Sequence, residues 1–370
     1  MKKIILLFSI ILVLISVHSY SRMQNPVSIP VLCYHHISTD NNSTFSRSSY
    51  AVTKKQFELQ MNYLKENGYK TITLNTLIDF IRNKPVELPE KPVVITFDDG
   101  LKSQLHTAYP ILKKHGFRAV FFIYPSVIIS KSRNIRKWHM TREMIKELHD
   151  AGNEIESHSY YHPLMHRESD AINRVQFKNS KNWLEKLTGK KVTYFAYPFG
   201  SYTQSVIRIG REEGFKGMFT INLGTVAAGT NPYSINRMMI TRNHNIKTFA
   251  GYIRSLPLKF RSISPVDGGV QKQLQKVTAK LAETHKKADF RMQVLFNGNP
   301  VRNAAFDESL QEITFYPRRI LNGLNNVQIM LFPRNRNNPA RIGSWTFVVR
   351  NEGMSITRRK VKRNANRANR

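Results

Sequence analysis

Cysteine is nearly absent from this chain: Cys33 is the only one in 370 residues, which excludes an intramolecular disulfide framework. Acidic residues are scarce as well. Against 57 Lys and Arg stand only 25 Asp and Glu, a formal net charge of +32. Glycine and proline, at 18 and 16, are too few for a collagen-like or mainly disordered chain. No repeat of fixed period is present, which argues against a solenoid or propeller. The longest apolar run, Ile4 to Val17, falls short of the roughly 20 residues of a membrane-spanning helix.

Lys2 and Lys3 precede that run, giving the basic and apolar regions of a secretory signal over 1–21, with cleavage points at Ser19 or Ser21. The alternative is an uncleaved anchor, the one route by which a membrane would be a partner. Either way the remaining chain is expected in the periplasm, the cell envelope or the medium. The charge attracts polyanions. Export makes acidic envelope polymers the expected class, with no nucleic acid. The final stretch, TRRKVKRNANRANR, carries seven Lys or Arg and no acid and reads as a solvated, flexible basic tail over 353–370.

From Ile29 to about Arg254, short apolar runs alternate with helical segments. IPVLCYHH is a strand in which Cys33 is a buried thiol. KKQFELQMNYLKENGY is a helix ended by Gly68, TITL a strand, and NTLIDFIRN a short helix capped by Asn75. KPVVITFDDG, RAVFFIYP, NEIESH, VTYFAYPFG, GFKGMFTINLG and SINRMMIT supply further strands. Strands apolar throughout, alternating with helices, imply a parallel sheet covered on both faces. A barrel and a doubly wound sheet both fit, and the number of units favours the barrel. Beyond Ser262 the pattern changes to short strands separated by Asn-, Gly- and Pro-rich turns. That change predicts a small β-sandwich over 288–352, joined by a partly helical linker over 261–287, with Trp345 in its core.

Three strand ends carry chemistry. TFDDG places Asp98 and Asp99 side by side where an apolar strand stops. Adjacent carboxylates repel, and a cation would relieve that repulsion, although Asp-Asp-Gly is also ordinary turn chemistry. HSYYHP sets His158 and His162 four apart, on one side if the segment takes a helical turn. One carboxylate and two imidazoles suit zinc or a similar divalent ion with a position left for water. YPFG, Tyr197 to Gly200, forms a turn that could aim a backbone N–H inward. All three lie at strand C-termini, where α/β barrels build their sites.

Taken in this order, TFDDG, HSYYHP and YPFG resemble the metal-binding and catalytic motifs of the polysaccharide deacetylase family, carbohydrate esterase family four or the NodB-homology family. The resemblance spans about Ile29 to Arg254 and includes IPVLCYHHIS. It implies an irregular (β/α) barrel over 29–260. It further implies Asp98 as general base, with Asp99, His158 and His162 as ligands of a divalent metal, Zn²⁺ or alternatively Co²⁺ or Ni²⁺. The Phe199 amide takes the oxyanion-hole position, with Tyr197 and Pro198 on the substrate side. Two departures stand out. Ala196 replaces the arginine that orients the base, and no Leu-x-His supplies the acid, for which His244 is the nearest stand-in. The C-terminal stretch resembles, by pattern alone, a bacterial immunoglobulin-like module.

The expected activity is hydrolytic removal of N-acetyl groups from an N-acetylglucosamine-containing envelope glycan, either peptidoglycan or poly-N-acetylglucosamine, releasing acetate. A cationic deacetylated product would be repelled by so basic a protein, which tilts the choice toward carboxylate-bearing peptidoglycan. An O-acetyl esterase would use the same residues. A catalytically silent glycan-binding protein, or an adhesin driven by the basic tail, are the readings from other classes.

Overall fold

A run such as PVVITF has no polar face to turn toward water, so it is stable only between two covered faces. In the computed structural model, which describes residues 27–39 and 48–350, these runs pair in parallel. Along the chain the strands are β1 Val31–Tyr34, β2 His36–Ser38, β3 Ala51–Thr53, β4 Tyr69–Thr71, β5 Lys91–Asp98, β6 Val120–Ile123, β7 Glu154–Ser157, β8 Tyr194–Ala196, β9 Gly217–Phe219 and β10 Met238–Met239. Eight of them form one curled sheet in the order β10-β1-β5-β6-β7-β8-β9, with β4 also on β5. Every pairing in it is parallel.

The seam of this half-barrel is crossed by one short segment. Ile235 bridges Phe219 in parallel, and three positions later Met238 pairs with Leu32 of β1. SINRMMIT therefore contributes two residues to a ladder and otherwise spans the gap between β9 and β1. Arg237, inside that span, is fully buried.

Helices cover the outside of the sheet. Lys54–Glu66 starts at a capping box in which Thr53 and Gln56 satisfy each other's orphan amides. It buries Phe57, Met61 and Leu64, spaced four and three apart. The helix Leu74–Ile81 is capped by Thr73 rather than by Asn75 as expected. Asn75 instead accepts from the Tyr194 hydroxyl. Asp170–Thr188, the longest described helix, ends at Gly189 in a left-handed conformation.

Residues 256–349 form an all-β unit of two sheets. Its strands are β11 Leu256–Pro257, β12 Phe260–Ser264, β13 Val270–Gln271, β14 Val277–Leu281, β15 Phe290–Phe296, β16 Asn299–Pro300, β17 Ala305–Asp307, β18 Glu312–Phe315, β19 Gly323–Pro333 and β20 Arg341–Val349. One sheet runs β11-β20-β19-β15-β16 with β13 also on β20, and the other runs β12-β14-β18-β17. Between them lies a core that includes Leu281, Val294, Phe315, Ile329 and Phe347. Trp345 is buried there, as expected, and its indole N–H donates to the Pro265 carbonyl at 2.9 Å.

The partly helical linker expected over 261–287 is corrected by this arrangement, because that stretch supplies most of β12 and all of β13 and β14. VTAKL buries Val277, Ala279 and Leu281 and leaves Thr278 and Lys280 partly exposed. That period of two overrides the helical character of the surrounding Gln and Lys. The unit docks on the half-barrel through a polar seam. The Tyr202 hydroxyl donates to Asp267 at 2.5 Å, Asn326 Nδ2 donates to Asn222 Oδ1 at 3.0 Å, and the Ser344 hydroxyl donates to the Leu223 carbonyl at 2.7 Å. Among the described residues no helix is long and apolar enough to cross a membrane. The expected leader over 1–21 and the tail over 353–370 lie outside them.

Candidate active site

Strand β5 delivers Asp98 to the interior and then turns sharply. Asp99 and Gly100 both take left-handed backbone conformations, φ 78° and 67°, so the two neighbouring carboxylates point in different directions. Asp98 is almost completely buried. Arg237 reaches it across the seam with a two-pronged ion pair, Nη1 to Oδ1 and Nη2 to Oδ2, each 2.7 Å. Cys33 Sγ lies 3.5 Å from Oδ2, and Gln104 Nε2 donates to the Asp98 carbonyl oxygen at 2.5 Å. Burial by itself would raise this carboxyl, but the charge of Arg237 and its two hydrogen bonds hold it well below the usual carboxylate range.

The imidazoles come from the segment after β7, which is not a helical turn. Ser159 and His162 have positive φ, 66° and 59°, and the Ser159 hydroxyl accepts from the His162 amide at 2.9 Å. Gln176, on the long helix, clamps the same loop by accepting from the Tyr160 and Tyr161 amides. This irregular path brings the two rings to 4.7 Å between centroids. The i, i+4 spacing thus brings the rings together through a loop and not through the helical turn that the spacing alone would need.

Asp99, His158 and His162 converge. Asp99 Oδ1 lies 3.6 Å from His158 Nε2 and 3.4 Å from His162 Nε2, and the two Nε2 atoms are 3.1 Å apart. Ligand atoms about 2.0–2.1 Å from one ion at tetrahedral angles would sit about 3.4 Å apart. Asp99 Oδ1 is buried with no hydrogen-bond partner among the described residues, a costly state unless a cation faces it. His158 Nδ1 bonds the Ala196 carbonyl at 2.8 Å, which makes Nδ1 the protonated nitrogen and turns the Nε2 lone pair inward. Burial lowers both imidazoles, His162 to about 4, so they stand as neutral ligands. The residues fit a divalent ion.

The other expected residues divide. Phe199, with φ 57°, is 54% exposed and sets its ring 4.5 Å from that of His162. Tyr197 and Pro198, expected on the substrate side, are buried instead. Tyr197 stacks on Tyr202 and donates to the Tyr233 carbonyl at 3.0 Å, so it supports the turn from beneath. His244 is not brought to the cluster. Its Nδ1 accepts from the Thr241 amide at 3.0 Å, its ring packs on Tyr252, and no described interaction links it to Asp98 or Asp99.

Two residues of the site escaped the sequence reading. Arg237 supplies the guanidinium that Ala196 could not, and a lone charge inside the apolar SINRMMIT was its signal. His35, just past β1, shares with Cys33 and Asp98 a group of ligand atoms within 4.8 Å of one another. Its Nδ1 is buried without a partner among the described residues. This second group is a poor cation site. Arg237 occupies both carboxylate oxygens, and burial pushes the Cys33 thiol up, so it remains protonated.

Residues 86–218 match the family described as Polysaccharide deacetylase. YxkH of Bacillus subtilis is 29% identical over 238 residues, 64% of this chain and 80% of that protein. The poly-beta-1,6-N-acetyl-D-glucosamine N-deacetylase of Staphylococcus aureus is 28% identical over 217 residues, 55% of this chain and 73% of that one. Among solved structures, the Streptococcus pyogenes deacetylase PplD in complex with acetate superposes with a TM-score of 0.57 at 26% identity, over 62% of this chain and 99% of that one.

Proposed function

We propose that this chain, whose residues 86–218 match the polysaccharide deacetylase family, is a hydrolase of that kind and removes N-acetyl groups from an N-acetylglucosamine-containing polysaccharide of the cell envelope, releasing acetate. The observation that carries the reading is Asp98, a buried carboxylate held ionised by Arg237 and 3.9 Å from His158 of the imidazole pair. The resemblance to the staphylococcal N-deacetylase favours poly-N-acetylglucosamine over peptidoglycan.

A divalent ion held by Asp99, His158 and His162, zinc in the first place and Co²⁺ or Ni²⁺ as alternatives, would supply Lewis-acid polarisation of the acetamide carbonyl and of the attacking water. The chain does the rest. Asp98 accepts the proton of the water as its oxygen bonds to the acetyl carbon. The Phe199 amide, aimed by the left-handed turn, donates to the carbonyl oxygen as charge develops there. His35, on the other flank of Asp98 with an unpartnered ring nitrogen, protonates the sugar nitrogen as the C–N bond breaks, leaving acetate and a free amine. We assign this role to His35 in place of His244.

The same reading takes the protein as exported and the β unit as an immunoglobulin-like module that spaces the enzyme from, or attaches it to, its glycan. Acetate release from purified poly-N-acetylglucosamine and peptidoglycan tests the activity. Asp98→Asn is expected to lose nearly all turnover while retaining bound metal, and full turnover in that variant would overturn the assignment of the base. Chelation should abolish release, and Zn²⁺ or Co²⁺ should restore it.

A further inference from the structure

A large cleft lies away from the acid pair and the imidazoles. It opens between the helix Ile246–Ile253 and the turn from β19 to β20, where the half-barrel meets the β unit, and has a volume of about 840 Å³, within the range of ligand-binding cavities. Arg254, Arg291, Arg334 and Arg336 line it, with Tyr252 and Phe332 between them, and no carboxylate or lysine does. Among the described residues none of the four arginines forms an ion pair. Arg291 lies over the Phe332 ring at 5.1 Å, while Arg334 is fixed through Nε to the Ala288 carbonyl at 2.8 Å.

A basic surface alone would scatter lysines and arginines over convex ground. Here every charged group lining the concavity is a guanidinium, beside two aromatic rings. Planar forked donors match carboxylate and phosphate oxygens two at a time, and the half-buried rings of Tyr252 and Phe332 add apolar surface beside them. We infer that this cleft is a second, non-catalytic glycan site that holds an anionic polysaccharide by its carboxylate or phosphate groups. The inference rests on the deacetylase reading to the extent that the enzyme works among envelope glycans. It puts the anchoring polymer in a place separate from the acetylated strand being deacetylated.

Binding and turnover separate the two readings. The probes are a polyuronate, a poly(glycerol phosphate) and neutral poly-N-acetylglucosamine, titrated against the full chain and against Arg254→Gln/Arg291→Gln/Arg336→Gln, which leaves Arg334 in its structural bond. Both proteins keep the basic tail, so a difference belongs to the cleft. The Kd for at least one anionic polymer should rise tenfold or more in the variant, and the tighter of the two identifies the anion. Acetate release from a short acetylated oligomer should be unchanged. Equal binding by variant and wild type, or a preference for the neutral polymer, overturns the inference without touching catalysis, and loss of turnover in wild type overturns the deacetylase reading without touching binding. Tighter cleft-dependent binding of duplex DNA at equal charge would also reject the glycan. If the triple variant melts early, Arg336→Glu, on the exposed turn, should weaken anion binding at least threefold.

Discussion

At the scale of single residues, the site is governed by what surrounds Asp98. Its salt bridge with Arg237 is fully buried, and such a pair is strongly destabilised when one partner is removed, by about 3–5 kcal/mol. Arg237→Gln should therefore lower the melting temperature, and it should also release the Asp98 carboxyl toward its ordinary range. The acidic limb of the pH–rate profile would then move to higher pH, a shift that a purely structural residue would not produce. Arg237→Lys keeps the charge but loses the two-pronged geometry, and should recover stability more fully than rate. His35→Gln should reduce kcat about a hundredfold, while His244→Gln leaves it unchanged. Parallel measurements of acetate release decide between the two histidines.

At the scale of elements, the turns that carry the site are held in conformations few side chains adopt. Gly200 has φ 62°, and a Cβ there would lie 2.5 Å from Ile221 Cγ1. Gly200→Ala is expected to destabilise the fold by about 1–3 kcal/mol and to displace the Phe199 amide, so thermal melts and acetate release should fall together. At the opposite end of the strands, burial pushes the Glu154 carboxyl up from 4.5 to about 7. A carboxyl raised on folding costs nothing while it is protonated, below about 4.5, and the stability it withholds grows as pH rises through 7. Over that window the loss is at most about 3 kcal/mol. Glu154→Gln should match wild type near pH 4 and melt higher at pH 8.

The elements were unevenly legible. TFDDG, HSYYHP and YPFG lie at strand ends within continuous stretches, so apolar patterning singled out Asp98, Asp99, His158 and His162, and the family resemblance of the three motifs added Phe199. Arg237 lies 139 positions from Asp98 and meets it only because a two-residue strand crosses the seam, a contact that no local period encodes. His35 was hidden for the opposite reason, since the apolar stretch around it reads as core. Tyr197 was misjudged because a motif gives the order of residues but not the face each presents, and VTAKL because its alternation is brief.

At the scale of the whole molecule, the β unit is tied to the half-barrel from its first residues. β11 and β13 both pair with β20, the last described strand, and Asp267 on the connecting loop bonds Tyr202 of the half-barrel. Ending the chain at residue 287 would strip β20 and β19 from one sheet and β18 and β17 from the other, and the product is expected to be insoluble. Ending it at Arg254 removes the unit intact, and a soluble half-barrel with a lowered melting temperature should result, as soluble yield and calorimetry would register. The stretch from Leu256 to Leu281 thus sets a rule for grafting. A recipient given only the segment after Ala288 would inherit unmatched edges, whereas a recombination joint at Ser255 passes on every strand with its neighbours.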